Sequence, residues 1–162
     1  MKSPEELAEQ FRAQGLKVTP QRLSIFRAVH DAAGTHPTAD AVYAAVVADM
    51  PTVSLKTVYQ TLNDLASMGE LLHLDLGHGA ARFDTNLARH QHLVCESCGS
   101  VWDVEVDLTG VRVPAGVAGD FRVSSTDVVF RGQCSRCAAQ GEPASRSTPR
   151  PHTPQEAGTC PS

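Results

Sequence analysis

Apolar positions in the first half of the chain recur every three or four residues, the spacing of helices with one buried face. Ser3-Pro4-Glu5-Glu6 opens the first of these with a capping hydroxyl, a proline at the first helical position and a glutamate three residues after the cap. Gly15 supplies a stop, so a helix is expected over residues 4–14. Thr19-Pro20 repeats the cap-then-proline start, and Leu23, Ile25, Phe26 and Val29 make the stripe of a second helix that ends near Asp31. Thr38 caps a third, with Val42, Tyr43, Val46 and Val47 facing inward and Pro51 closing the region. Ser54 caps a fourth that runs to about Met68, with Val58, Leu62 and Leu65 inside and Gly69 at the left-handed stop. Its other face carries Lys56, Thr57, Tyr59, Gln60 and Asn63.

The period then changes. Leu71 to Leu76 and Ala80 to Phe83 read as two short strands joined by Gly77-His78-Gly79. Short helices followed by a hairpin is the order of a winged helix-turn-helix, in which the last helix enters the DNA major groove, and residues 1–83 are expected to form that module. Beyond it, His92 to Cys95, Val101 to Val106 and Val123 to Arg131 are valine-rich and alternating. A short helix could sit within Leu108 to Gly119, although Pro114 and three glycines oppose it. Residues 84–138 are therefore expected to form a small second domain of mixed helix and strand, making the fold class α+β. From Ala139 onward five of the ten prolines fall among Ser, Thr and Gly, so residues 139–162, Cys160 included, are expected to be a disordered tail.

Composition narrows the reading. Two small domains in 162 residues need staples beyond apolar burial. No apolar run approaches the roughly 20 residues of a membrane span, and Pro4 to Gln14 lacks the apolar centre of a signal peptide. The expectation is a cytoplasmic protein with no membrane partner. A net charge of -4 gives no general support to nucleic-acid binding, so DNA contact must come from local placement of Lys and Arg.

Cys95-Glu96-Ser97-Cys98 and Cys134-Ser135-Arg136-Cys137 each place two thiolates on one tight turn, the bite that a tetrahedral zinc ion accepts. Redox dithiols of the same spacing usually open a helix after a strand and do not recur as a matched pair. Four thiolates leave no open position, so the expected role of Cys95, Cys98, Cys134 and Cys137 is a structural zinc site, one per subunit.

His90 and His92 are two apart, so an extended backbone points both imidazoles to one face. His36, Asp84 and Asp103 could join them in a site between the two domains. On spacing alone a second account stands equally: His36 packs or caps a helix, both aspartates are solvated and the histidine pair is a polar strand edge.

Thr19-Pro20-Gln21-Arg22, His36-Pro37-Thr38-Ala39, Thr57-Val58-Tyr59-Gln60-Thr61-Leu62, His90-Gln91-His92 and the paired cysteine motifs, in this order and spacing, resemble the ferric uptake regulator superfamily over residues 10–138. The resemblance implies a homodimeric repressor of operator DNA and no enzyme activity. The set His36, Asp84, His90, His92 and Asp103 is similar to the peroxide-responsive branch, where a regulatory Fe2+ or Mn2+, one per subunit, locks the dimer for DNA binding. Iron-sensing members tend to carry a further histidine-bearing site, whereas Gln91 and Thr126 stand at the corresponding places here. An all-nitrogen-and-oxygen donor set independently suits iron or manganese. In that branch the signal is hydrogen peroxide, and the resemblance implies oxidation of His36 or His90. It also implies DNA contacts from Lys17 and Arg22, beside Lys56, Thr57, Tyr59, Gln60 and Asn63 on the fourth helix. Many relatives have arginine where this chain has Gln60, which would shift base preference from guanine toward adenine.

Overall fold

The computed structural model describes residues 1–76, 80–114 and 121–141. Four helices come first: α1 (Pro4–Ala13), α2 (Pro20–Asp31), α3 (Ala39–Val47) and α4 (Leu55–Ser67). Each begins where a side-chain oxygen relieves an unpaired amide of the first turn. Ser3 closes a capping box with Glu6, and Thr19, Thr38 and Ser54 accept from the amides of Arg22, Ala41 and Thr57. The stripes read from the sequence meet in one core, where Phe11, Ile25, Phe26, Val29, Val42, Val58, Leu62 and Leu65 are buried. The Phe11 and Phe26 rings pack edge to face at 4.8 Å.

The hairpin β1 (Leu72–Leu74) and β2 (Arg82–Asp84) is antiparallel, with Leu72 opposite Asp84 and Leu74 opposite Arg82. Its Phe83 enters the helical core. The Gly77-His78-Gly79 turn lies outside the described residues.

A second sheet has the order β4-β3-β5. β3 (Gln91–Cys95) pairs antiparallel with β4 (Val101–Val104), which sets His92 opposite Asp103, and parallel with β5 (Val129–Gly132). Helix α5 (Ser135–Ala139) follows. The expected strand over Val123 to Arg131 shrinks to its end. In the parallel register His92 faces Val129, so residues upstream of 128 run past the start of β3, alongside a linker that is not a strand. Gln91 extends the ladder by one step, its Oε1 accepting the Val128 amide at 2.8 Å. No helix forms over residues 108–114, and the remainder of that expectation, like the tail from 142 onward with Cys160, lies outside the described residues. No helix among the described residues is long and apolar enough to cross a membrane.

Candidate metal centres

The cysteine cluster is built on two turns at one end of the second sheet. The Cys95 amide donates to Ser100 O at 2.9 Å and the Gly99 amide to Cys95 O at 2.8 Å, folding the first pair back on itself. Gly99 takes φ +69, a left-handed conformation that a side chain would strain. The second pair brackets the start of α5, where the Cys134 amide donates to Cys95 Sγ at 3.3 Å and Cys137 is buried. The four sulfurs are free of disulfides, lie within 4.8 Å of one another and include a Cys98–Cys134 separation of 3.9 Å. A tetrahedral ion with bonds of about 2.3 Å sets its sulfurs about 3.8 Å apart.

The thiols differ in acidity. The Ser100 hydroxyl and amide bring Cys98 down to about 5, whereas the hydrogen bond with Cys134, with burial second, pushes Cys137 up to about 12. Four crowded thiolates repel one another unless a cation lies among them, so the donor set fits a divalent metal.

A second cluster gathers His36, Asp84, His90, His92 and Asp103, drawn from the loop before α3, the end of β2, the linker, β3 and β4. One ligand atom from each lies within 4.8 Å of all the others. Asp84 Oδ1 accepts the Asn86 amide at 2.8 Å, leaving Oδ2 to the cluster. Asp103 Oδ2 accepts from Asn86 Nδ2 at 2.7 Å, leaving Oδ1. His90 Nδ1 faces the Ala88 carbonyl at 2.7 Å, so with the proton on Nδ1 the lone pair sits on Nε2.

The inward atoms crowd together: His36 Nε2 is 2.6 Å from Asp103 Oδ1, His90 Nε2 is 2.9 Å from Asp84 Oδ2 and from His92 Nε2, and His92 Nε2 is 3.6 Å from Asp84 Oδ2. Octahedral bonds of about 2.1 Å place neighbouring ligands about 3 Å apart. His36 Nε2 and Asp84 Oδ2 are nevertheless buried without an aligned hydrogen bond, as is His36 Nδ1. Close but misaligned polar atoms are aimed at a common point rather than at each other, which is the arrangement a cation would satisfy. Burial, then neighbouring His90 and His36, lowers the pKa of His92 and favours its neutral, ligating form. At Asp103 burial pushes upward, but the Asn86 hydrogen bond and the three imidazoles outweigh it and the carboxyl ends below its usual range.

His36 itself stands at φ +50, rare for a residue with a side chain and dependent on its surroundings. Asn86, which orients both carboxylates, escaped sequence reasoning. The Asp84-Thr85-Asn86 spacing signals an Asx turn, but nothing in the chain order points Asn86 at Asp103.

The residues expected to touch DNA divide into two groups. Lys17, Lys56, Tyr59, Gln60 and Asn63 are exposed. Arg22 is not free to project: its guanidinium holds Asp64 at 2.7 Å and the Lys17 carbonyl at 3.0 Å, with the side chain only 14% exposed. It braces α4 and the Lys17 loop from within. Thr57 is half-buried, and its amide and hydroxyl both engage the Ser54 cap.

The model of the ferric uptake regulator family matches residues 13–128. The peroxide-responsive repressor PerR of Staphylococcus aureus is 34% identical over 134 residues, spanning 82% of this chain and 90% of that protein. Among solved structures, the Helicobacter pylori ferric uptake regulator superposes with a TM-score of 0.67 at 22% identity, covering 83% of this chain and 90% of its own. The Vibrio cholerae ferric uptake regulator gives a TM-score of 0.62 at 26% identity, covering 79% and 99%.

Proposed function

The chain belongs to the ferric uptake regulator family, and from that premise we propose a cytoplasmic, homodimeric repressor that binds operator DNA under metal control and releases it on exposure to hydrogen peroxide. Residues 1–83 are the DNA-binding module and residues 84–138 the dimerisation domain. Cys95, Cys98, Cys134 and Cys137 hold a structural Zn2+, and His36, Asp84, His90, His92 and Asp103 hold a regulatory Fe2+ or Mn2+. The convergence of these five ligand atoms, with buried His36 Nε2 and Asp84 Oδ2 lacking aligned partners, carries the reading.

The five ligands come from both sides of the chain's midpoint, so gripping one ion fixes the helical half against the sheet half. That fixes where each α4 stands in the dimer, and half-site spacing demands a defined stance. On α4, exposed Lys56, Tyr59, Gln60 and Asn63 are placed to meet DNA, with Gln60 suited to an adenine edge. Lys17 reaches phosphate from its braced loop, while Arg22 acts through that bracing. Across the second sheet Leu93 sits between Trp102 and Phe130, exposed at 42%, 44% and 40%, an apolar row that a second copy would cover.

When bound, ferrous iron supplies one-electron reduction of peroxide. Over the whole step, peroxide would give one of its oxygen atoms to a ring carbon of His36 or His90 and leave as water, the imidazole losing two electrons, and an oxidised imidazole is a poorer ligand. Loss of one of five ligands frees the two halves to move, and the bound stance is lost. The similarity to PerR supports the peroxide step. A regulator responding only to metal occupancy would use the same ligands without it.

The experiment is anaerobic DNA binding by the Fe2+ and Mn2+ forms before and after stoichiometric peroxide, with mass spectrometry of the His36 and His90 peptides. Gain of one oxygen atom on the Fe2+ form, with lost DNA binding, is expected. Unmodified peptides and unchanged binding would leave a metal-occupancy regulator.

A further inference from the structure

Arg82 lies on β2, two residues before Asp84, and its side chain is half-buried. Its Nη1 donates to the His36 carbonyl at 2.9 Å and its Nη2 to the Gly99 carbonyl at 2.6 Å. One guanidinium thus spans the backbone of a ligand in the His/Asp cluster and the backbone of the turn that carries Cys95 and Cys98. Gly99 stands at φ +69, where a side chain would be strained, and an added Cβ would lie 3.4 Å from Arg82 Nη2. The turn is tied back by the Gly99 amide on Cys95 O and the Cys95 amide on Ser100 O. At the other end stands His36, whose left-handed backbone needs to be held from outside. The Phe83 amide bond to Pro37 O and the bridge between Thr38 and Arg82 secure residues 37–38 to the hairpin. The bond to Gly99 is what extends that hold to the cysteine turn.

We propose that Arg82 is a positioning residue that locks His36 against the Cys95–Ser100 turn, so that the grip of the His/Asp cluster on its ion depends on the integrity of the cysteine site. This rests on the reading of His36 as a ligand. Arginine is suited to the task because its fixed fork offers two separate donors, one to each carbonyl. Lysine keeps the charge on a single nitrogen and cannot reproduce the fork. The coupling runs both ways by linkage: an ion that draws His36 into place also steadies the turn.

The test uses the full, zinc-loaded chain and Mn2+ alone, with free Mn2+ followed by electron paramagnetic resonance in the wild type, Arg82→Lys, His36→Ala and the double variant. Arg82→Lys is expected to weaken Mn2+ binding on the order of tenfold while zinc stoichiometry stays that of the wild type. In the His36→Ala background the same substitution should cost nothing further, because its effect passes through His36. Wild-type affinity in Arg82→Lys, or losses that multiply in the double variant, would overturn the proposal. Should Arg82→Lys fold poorly, hydrogen exchange on the wild-type chain decides: Mn2+ is expected to slow the Gly99 and Ser100 amides, and unchanged rates would overturn it. A wild-type chain that takes up no Mn2+ is a different failure, that of the His/Asp cluster as a metal site.

Discussion

The two halves of the molecule are held by different forces. Around α1 to α4 and the hairpin, fifteen buried apolar residues form one continuous cluster, from Leu7 to Phe83. Against the second sheet the described residues form a smaller cluster, Val94, Val101 and Val129 from its strands with Leu74 and Leu76 from the end of the hairpin's first strand. Among the described residues of one subunit, that apolar cluster is far smaller than the one in the helical half. Beside it stand four cysteine sulfurs within 4.8 Å of one another, proposed above to share a Zn2+. A core built from hydrocarbon is fixed by sequence pattern alone, whereas one built on thiolates is conditional on a cation. The conditional half is also the one that supplies His90, His92 and Asp103.

The sharpest way to break this contrast is to strip the cysteine site. Structural zinc in small domains contributes about 10–16 kcal/mol at neutral pH, so a Cys95→Ser, Cys137→Ser double variant should lose the second sheet altogether. Hydrogen-exchange protection is expected to vanish over Gln91–Cys95, Val101–Val104 and Val129–Gly132 and to persist in α2 and α4. Loss of both halves together would show one cooperative unit and end the comparison.

The reciprocal cut falls in the helical core. Phe26 is fully buried and packs edge to face against Phe11, and Phe26→Ala should cost about 3–5 kcal/mol. Calorimetry of the zinc-loaded protein should show the helical transition falling while zinc stoichiometry holds. Zinc lost along with the helices would mean that the apolar core supports the cysteine site.

A smaller effect is expected at Arg22 and Asp64, which join α2 to α4 at 2.7 Å with side chains 14% and 25% exposed. Partly screened, the pair lies between exposed pairs worth less than about 1 kcal/mol and buried ones that cost about 3–5 kcal/mol to break. Asp64→Asn should therefore destabilise by about 2 kcal/mol in a urea titration. Arg22 also lies over the Phe11 ring, 5.2 Å from its centroid, so removing the arginine should cost more than removing the aspartate.

The contrast also explains what could be read from the sequence. Helices α1 to α4 follow from caps and from three-four spacing, both local signals, and the observed bounds of α1, α2 and α4 lie within a residue or so of the expected ones. In the sheet half, β3 and β4 were legible from valine-rich alternation, and the paired cysteines and His90 and His92 from their chemistry. Its β5 was drawn too long because valine alternation over 123–128 says nothing about which strand is available to pair. The His/Asp cluster was nameable through resemblance, since bringing His36 to Asp103 depends on tertiary folding. Asn86 and Arg82 were missed for the same reason: their roles are hydrogen bonds across 17 and 46 residues of chain. The DNA contact of Arg22 was implied by the resemblance, and in the structure Asp64, forty-two residues on, holds its guanidinium.

The smallest expected effect separates the halves most finely. Ser54 Oγ accepts the Thr57 amide at 3.1 Å and lies 2.8 Å from the Thr57 hydroxyl, so it relieves one unpaired amide in the first turn of α4. Ser54→Ala removes that acceptor at an exposed site where water can partly replace it, which sets the cost at about 1 kcal/mol. A loss of that size is small beside an apolar core, so α4 should fray at its start without unfolding. The amides of Lys56 and Thr57 should exchange faster, with those of Leu62 and Leu65 unchanged and zinc and Mn2+ uptake at wild-type levels. Since the start of α4 carries Lys56 and Tyr59, operator affinity should fall modestly while metal affinity does not. A drop in Mn2+ affinity would instead mean that α4 and the His/Asp cluster communicate through the helical core itself.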